Sequence, residues 1–151
     1  MKNITHLSGI LIVVVLLFYT DGNLTKANTK EKPKLEFMSE NNRIQLDTMY
    51  LNEMDDEVNI EIEFENTGDR PLIVNKVTGC CGTQIKGWTK QPILPGKKGA
   101  IQVYFRVPPR PHQISRTVKA ISNDPEGTKT LRIQGIVKEK DDGSIKLGNN
   151  N

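Results

Sequence analysis

The sequence predicts an all-β fold, a two-sheet antiparallel β-sandwich of about seven short strands preceded by a signal segment. Three observations predict it. From Val58 to Val137 the hydrophobic period is two rather than 3.6, turn-forming clusters break the chain at short intervals, and no helical stretch lies between the strands. With 151 residues there is room for one domain and a targeting segment. A domain of that size buries roughly two thirds of the surface its unfolded chain exposes, so it folds without disulfide staples. The net charge of +3 comes from 21 basic and 18 acidic residues mixed along the chain. No like-charge block is long enough to track nucleic acid or an anionic lipid surface, which argues against both as partners.

Lys2, a polar step through Thr5 and His6, and an apolar run from Gly9 to Tyr19 open the chain. Such a run spans only ~16 Å as a helix, short of the ~20 residues a bilayer crossing needs. It reads as the core of a signal peptide, residues 1–27, cut after Ala27 where Thr25-Lys26-Ala27 offers small residues. An uncleaved segment is the one route by which the chain would touch a membrane. No cysteine directly follows the run, so a lipid anchor is not expected there. Residues 28–34 are polar and read as a spacer, 138–151 as a disordered tail, and 35–137 as the folded unit.

The elements of that unit follow in order. Val58, Ile60, Ile62 and Phe64 alternate with Glu57, Asn59, Glu61, Glu63 and Glu65, giving a strand with one apolar and one acidic face. Asn66-Thr67-Gly68-Asp69 turns the chain, Pro71 opens the next strand, and Leu72, Val74 and Val77 continue the core. Gln84–Trp88 is a short strand whose tryptophan is expected to plug one end of the sandwich. Pro92–Gly99 is a turn cluster before the alternation of Ile101, Val103, Phe105 and Val107. Pro108, Pro109 and Pro111 then force an extended loop. Ile114, Arg116, Val118 and Ala120 alternate with Ser115, Thr117, Lys119 and Ile121, and Ser122–Gly127 turns again. Leu131, Ile133 and Ile136 close the core, with a bulge or close approach expected at Gly135.

Chemistry concentrates at Gly79-Cys80-Cys81-Gly82-Thr83. Adjacent Cα atoms stand ~3.8 Å apart, below the ~4.4–6.8 Å usual for a disulfide, so a Cys80–Cys81 bond would be strained and easily reduced. The pair reads either as a thiol redox site, a link to another chain or a Cu(I) site, or as a buried small residue followed by a loop residue. His112 sits in the proline loop without triad or zinc partners in the sequence. Asp55-Asp56-Glu57 reads as a solvated turn before a strand. Arg106, Arg110 and Arg116 flank the proline loop and form either an anion-friendly patch or a solvated surface. No phosphate-binding glycine loop or nucleophile elbow is present, and neither cofactor nor catalytic activity is expected.

Phe64-Glu-Asn66-Thr-Gly68, Pro71-Leu-Ile-Val74, Cys80, Leu94-Pro95-Gly96, Ile101-Gln-Val103-Tyr-Phe105, Ser122-Asn123-Asp124 and Leu131–Val137 recur in one order and spacing. In them the chain resembles the domain-of-unknown-function family fifteen seventy-three of secreted Bacteroidota proteins. The resemblance implies an immunoglobulin-like sandwich of the sperm-protein and PapD-like branch. Family members carry Ser-Cys-Gly-Cys-Thr where this chain has Gly79-Cys80-Cys81-Gly82-Thr83, so only the first cysteine matches. If the host belongs to that phylum, Asp47-Thr48-Met49 is similar to its three-residue O-glycosylation site, at Thr48. The expected function is a non-catalytic exported module of the periplasm or cell surface. It would bind another envelope protein through sheet edges or the loop Pro108, Pro109, Arg110, Pro111 and His112. The alternative is a thiol redox or Cu(I)-binding protein acting through Cys80 and Cys81.

Overall fold

Alternating side chains sort the chain into two apolar faces that pack on each other. The computed structural model describes residues 31–140, so the expected signal peptide, residues 28–30 of the expected spacer and residues 141–151 of the expected tail lie outside the described residues. Eight strands follow in order: β1 (Leu35–Phe37), β2 (Arg43–Tyr50), β3 (Glu57–Asn66), β4 (Val74–Gly79), β5 (Gln84–Trp88), β6 (Lys98–Arg106), β7 (His112–Ser122) and β8 (Lys129–Lys138). They form two four-stranded sheets in the orders β1-β3-β6-β5 and β2-β8-β7-β4. All pairs are antiparallel except β2 with β8, which is parallel.

From β3 onward the chain forms six strands, and the other two, β1 and β2, come from the segment before Val58. After Phe37 the chain leaves the first sheet and makes a 3₁₀ turn at Glu40–Asn42. Asn41 and Asn42 take left-handed φ of 51° and 53° there, a conformation asparagine tolerates. The chain then enters the second sheet as β2.

Ile62, Phe64, Ile101, Val103 and Phe105 from the first sheet meet Val118, Ala120, Leu131, Ile133 and Val137 from the second, none more than 2% exposed. Each large apolar side chain so buried stabilises the fold by about 1.5–3 kcal/mol. Val58 and Ile60 are only half-buried, so the apolar line of β3 tightens toward its C-terminal half. On β8 the buried line is Leu131, Ile133, Gly135 and Val137, and Ile136, expected in the core, is turned to the half-exposed side. A glycine occupies the inward place because β2 passes too close. A Cβ at 135 would lie 3.0 Å from Leu46 Cβ. The bulge falls on β2, where Gln45 aligns with Gln134 and Thr48 with Ile136. Trp88 seals the side between edge strands β4 and β5 rather than an end, its indole N–H donating to the Val74 carbonyl at 3.1 Å.

Polar side chains, buried at Asn66 and Asp124 and exposed at Asn123, tie the turns to the sheets. Asn66, fully buried, donates to the carbonyls of Arg70 (2.8 Å) and Ile93 (2.9 Å), and its Oδ1 accepts from the N–H groups of Gly68 and Lys34. Asp124 accepts from Leu35 N–H at 2.9 Å and Glu126 N–H at 2.8 Å. Asn123 accepts from Ile73 N–H and donates to the Pro71 carbonyl. Lys32 and Lys34, in the stretch expected to be a spacer, accept backbone hydrogen bonds from Asp69 and Thr67 of the β3–β4 turn.

Candidate functional site

The turn Cys80–Thr83 carries the chain from β4 to β5, the edge strands of opposite sheets on one side of the sandwich. Cys80 N–H donates to the Thr117 carbonyl at 3.0 Å, extending the β4–β7 ladder by one residue, and Thr83 N–H closes the turn on the Cys80 carbonyl at 2.9 Å. Both central residues are left-handed, Cys81 at φ 56° and Gly82 at φ 78°, as in a type I′ turn. Gly82 accepts this freely, whereas an L-residue such as cysteine gives up about 1–2 kcal/mol. Gly79 is needed for space: a Cβ there would lie 2.7 Å from the Thr83 carbonyl oxygen.

This backbone holds the two sulfurs 2.9 Å apart, with the exposed Cys81 thiol donating to Cys80 Sγ. Cys80 Sγ also accepts Thr117 N–H at 3.2 Å. Arg116 lies beside them, bonded through Nη1 to the Cys81 carbonyl and through Nη2 to the Arg106 carbonyl at 3.4 Å, its guanidinium 5.4 Å from the Phe105 ring centroid. The two thiols are therefore unequal. The Cys81 S–H bond, then the Thr117 N–H and the Arg116 charge, lower the Cys80 thiol below its ordinary value against an opposing push from partial burial. The Cys81 thiol is raised, chiefly because it donates to Cys80. A shallow cleft of about 280 Å³, lined by Thr78, Gly79, Cys80, Thr117 and Lys119, opens beside Cys80.

The other expected residues lie apart from this turn. Pro108, Pro109, Arg110 and Pro111 are exposed between β6 and β7, where Arg110 N–H turns back to the Pro108 carbonyl and His112 Nδ1 lies 2.7 Å from the Arg110 carbonyl oxygen. Thr48 is exposed on β2 beside the bulge. Arg106, Arg110 and Arg116 do not assemble into one anion patch: Arg106 pairs with Glu57 at 3.0 Å and Asp56 at 3.8 Å, and Arg116 is spent on backbone carbonyls. Asp55 accepts Glu57 N–H at 3.0 Å, an Asx turn that starts β3. Among the described residues no group of three or more His, Cys, Asp or Glu is placed to hold a metal ion. The sequence reading placed Arg116 only in an anion-friendly patch or on a solvated surface and missed its bond to the Cys81 carbonyl, although its place on the inward line between Ile114 and Val118 sets it apart from Arg106 and Arg110.

The fold is that of known sandwich domains. The structure is similar to the crystal structure of a protein of unknown function from Porphyromonas gingivalis W83, with 15% identity and a TM-score of 0.55, over 76% of this chain and 51% of that one. It is similar to the secreted serine protease VesC from Vibrio cholerae, with 8% identity and a TM-score of 0.52, over 72% of this chain and 23% of that one. It is also similar to the ASH/PapD-like domain 7 of human CEP192, with 14% identity and a TM-score of 0.50, over 80% of this chain and 97% of that domain. The chain thus spans about half or less of the length of the first two. At these identities the likeness is one of fold, an immunoglobulin-like sandwich of the PapD-like kind. No curated protein matches the sequence. The family model described as protein of unknown function (DUF1573) matches residues 37–137, and the chain belongs to that family.

Proposed function

We propose that the protein is a non-catalytic interaction module of the bacterial cell envelope, exported by its amino-terminal apolar segment, and that it holds another envelope protein by adding an extended segment to the free edge of β2. The supporting observation is β2 itself. It is an eight-residue edge strand paired on one side only, through Arg43–Gln45 and Thr48–Tyr50 on either side of its bulge. An unpaired strand edge of that length offers a row of N–H and C=O groups to an incoming strand. The other edges offer less. β1 has three residues, and β4 and β5 are short, bulged and joined across their gap by Trp88.

A binding role also suits the conspicuous motif residues. Asn66, Asn123 and Asp124 are all consumed in holding the sandwich together. The VesC likeness covers 23% of that protease and brings no activity to this chain.

The reading is tested by placing a photoreactive residue at Arg43 or Gln45, at Glu61 on the outer face of the first sheet, and at Arg110 in the proline loop, in the native host. One discrete protein adduct from the two β2 positions and none from Glu61 is expected. An adduct from Arg110 alone would move the interface to the loop, and no adduct from any position would overturn the reading.

A further inference from the structure

We propose that Cys80 and Cys81 form a dithiol site that reduces small anionic disulfides, with Cys80 as the attacking sulfur and Cys81 as the resolving one. The left-handed Cys81 backbone is the first observation. It places an L-residue where glycine or asparagine fits best, and its result is to fold the Cys81 thiol back to 2.9 Å from Cys80 Sγ. At that separation the two sulfurs are within reach of sulfur–sulfur bond formation.

The second observation is the setting of Cys80. Reactive cysteines sit in partly exposed, electropositive surroundings with donors aimed at the sulfur. Cys80 Sγ receives Thr117 N–H and the Cys81 thiol, with Arg116 beside the turn and Lys119 lining the adjoining cleft. The directions of the two thiols agree, Cys80 lowered and Cys81 raised. Lys119 and Arg116 favour a negatively charged partner, and the size of the cleft favours a small one.

The chemistry balances as follows. The Cys80 thiolate attacks one sulfur of RSSR, forming a Cys80–SR bond as the RS–SR bond breaks, and the departing RS⁻ takes a proton from water. The Cys81 thiol then loses its proton and attacks Cys80 Sγ, forming the Cys80–Cys81 bond and expelling the second RS⁻, which is protonated to RSH. Two cysteines are oxidised by two electrons and one RSSR is reduced to two RSH. The strained product is readily reopened by excess thiol.

The test uses the reduced full chain with the anionic probe 5,5′-dithiobis(2-nitrobenzoate) and the cationic probe cystamine, followed by absorbance or intact mass. The wild type is expected to release two aromatic thiolates per chain and to end two hydrogens lighter with no retained adduct. Cys81→Ser should release one and keep the adduct on Cys80, and Cys80→Ser should react at least tenfold more slowly. Lys119→Glu, an exposed substitution that leaves both thiols in place, should slow the anionic probe several-fold and speed cystamine. Equal rates for the two serine variants would overturn the assignment of the attacking sulfur. Two retained adducts on the wild type would overturn ring closure, and a Lys119→Glu variant indifferent to probe charge would overturn the preference for anions.

Discussion

Replacing Asp124 tests whether the buried polar side chains, and not the apolar alternation alone, hold the turns to the sheets. Its carboxylate has no exposed surface and accepts Leu35 N–H at 2.9 Å and Glu126 N–H at 2.8 Å, with the Lys129 ammonium 3.6 Å away. A hydrogen bond to a charged group contributes about 1.5–3 kcal/mol, and a stranded buried N–H costs about 1–3 kcal/mol. Asp124→Ala should therefore cost about 3–5 kcal/mol. Asp124→Asn keeps one acceptor oxygen but turns an NH₂ toward one of the two N–H donors, and should cost about 2 kcal/mol. At roughly 4–8 °C per kcal/mol for a domain near 100 residues, the alanine variant should melt at least 12 °C lower.

The sign of the pH dependence follows from Asp124's environment. Burial pushes its carboxyl up, but the N–H groups of Leu35 and Glu126 and the Lys129 charge together outweigh that and hold it below the ordinary value. The folded carboxyl thus titrates below the unfolded one. Its contribution is complete above ~3.9 and is lost as pH falls through the lower folded value. Urea melts of wild type and Asp124→Asn at pH 7 and below pH 4 measure this. A gap that closes on acidification supports the reasoning, and a gap that is absent at pH 7 or unchanged by acid refutes it.

Other outcomes are as specific. Gly99→Ala would place a Cβ 2.5 Å from Phe64 Cζ and 2.7 Å from Ile93 Cδ1, so chemical denaturation should show a loss of about 1–3 kcal/mol from overpacking. Cys81→Asn places a residue tolerant of left-handed backbone at φ 56°, and should leave stability unchanged or raise it by up to about 1 kcal/mol while abolishing dithiol chemistry. Trp88→Phe removes the bond to the Val74 carbonyl and should cost about 1 kcal/mol in a thermal or urea melt, with the fold retained by circular dichroism. Glu63→Gln breaks an exposed pair with Lys98 and should change stability by less than about 1 kcal/mol at any salt concentration.

Where a strand has one face in the core and one in water, its sequence announced it. β3, β6 and β7 alternate, and their inward apolar residues are buried, or half-buried at Val58 and Ile60. β1 and β2 were not legible because β1 has three residues and the β2 alternation is broken by its bulge at Leu46-Asp47. Ile136 misled for a related reason: the inward position of β8 belongs to Gly135, whose contribution is the space it leaves for Leu46. At the candidate site, the cysteine pair was visible as chemistry, but its asymmetry was not. That depends on Thr117 and Arg116, which the β4–β7 pairing brings to the turn from more than thirty residues away in sequence. The role of Asp124 likewise required a contact across 89 residues.

The proposed use of β2 is tested most directly by amide hydrogen exchange of the full chain, free and in complex with the protein captured through Arg43 or Gln45. Binding by strand addition predicts new protection over Arg43–Tyr50, with exchange of β3 and of the Pro108–His112 loop unchanged. New protection at that loop or at Cys80–Thr83, with β2 exchanging as in the free chain, would contradict it.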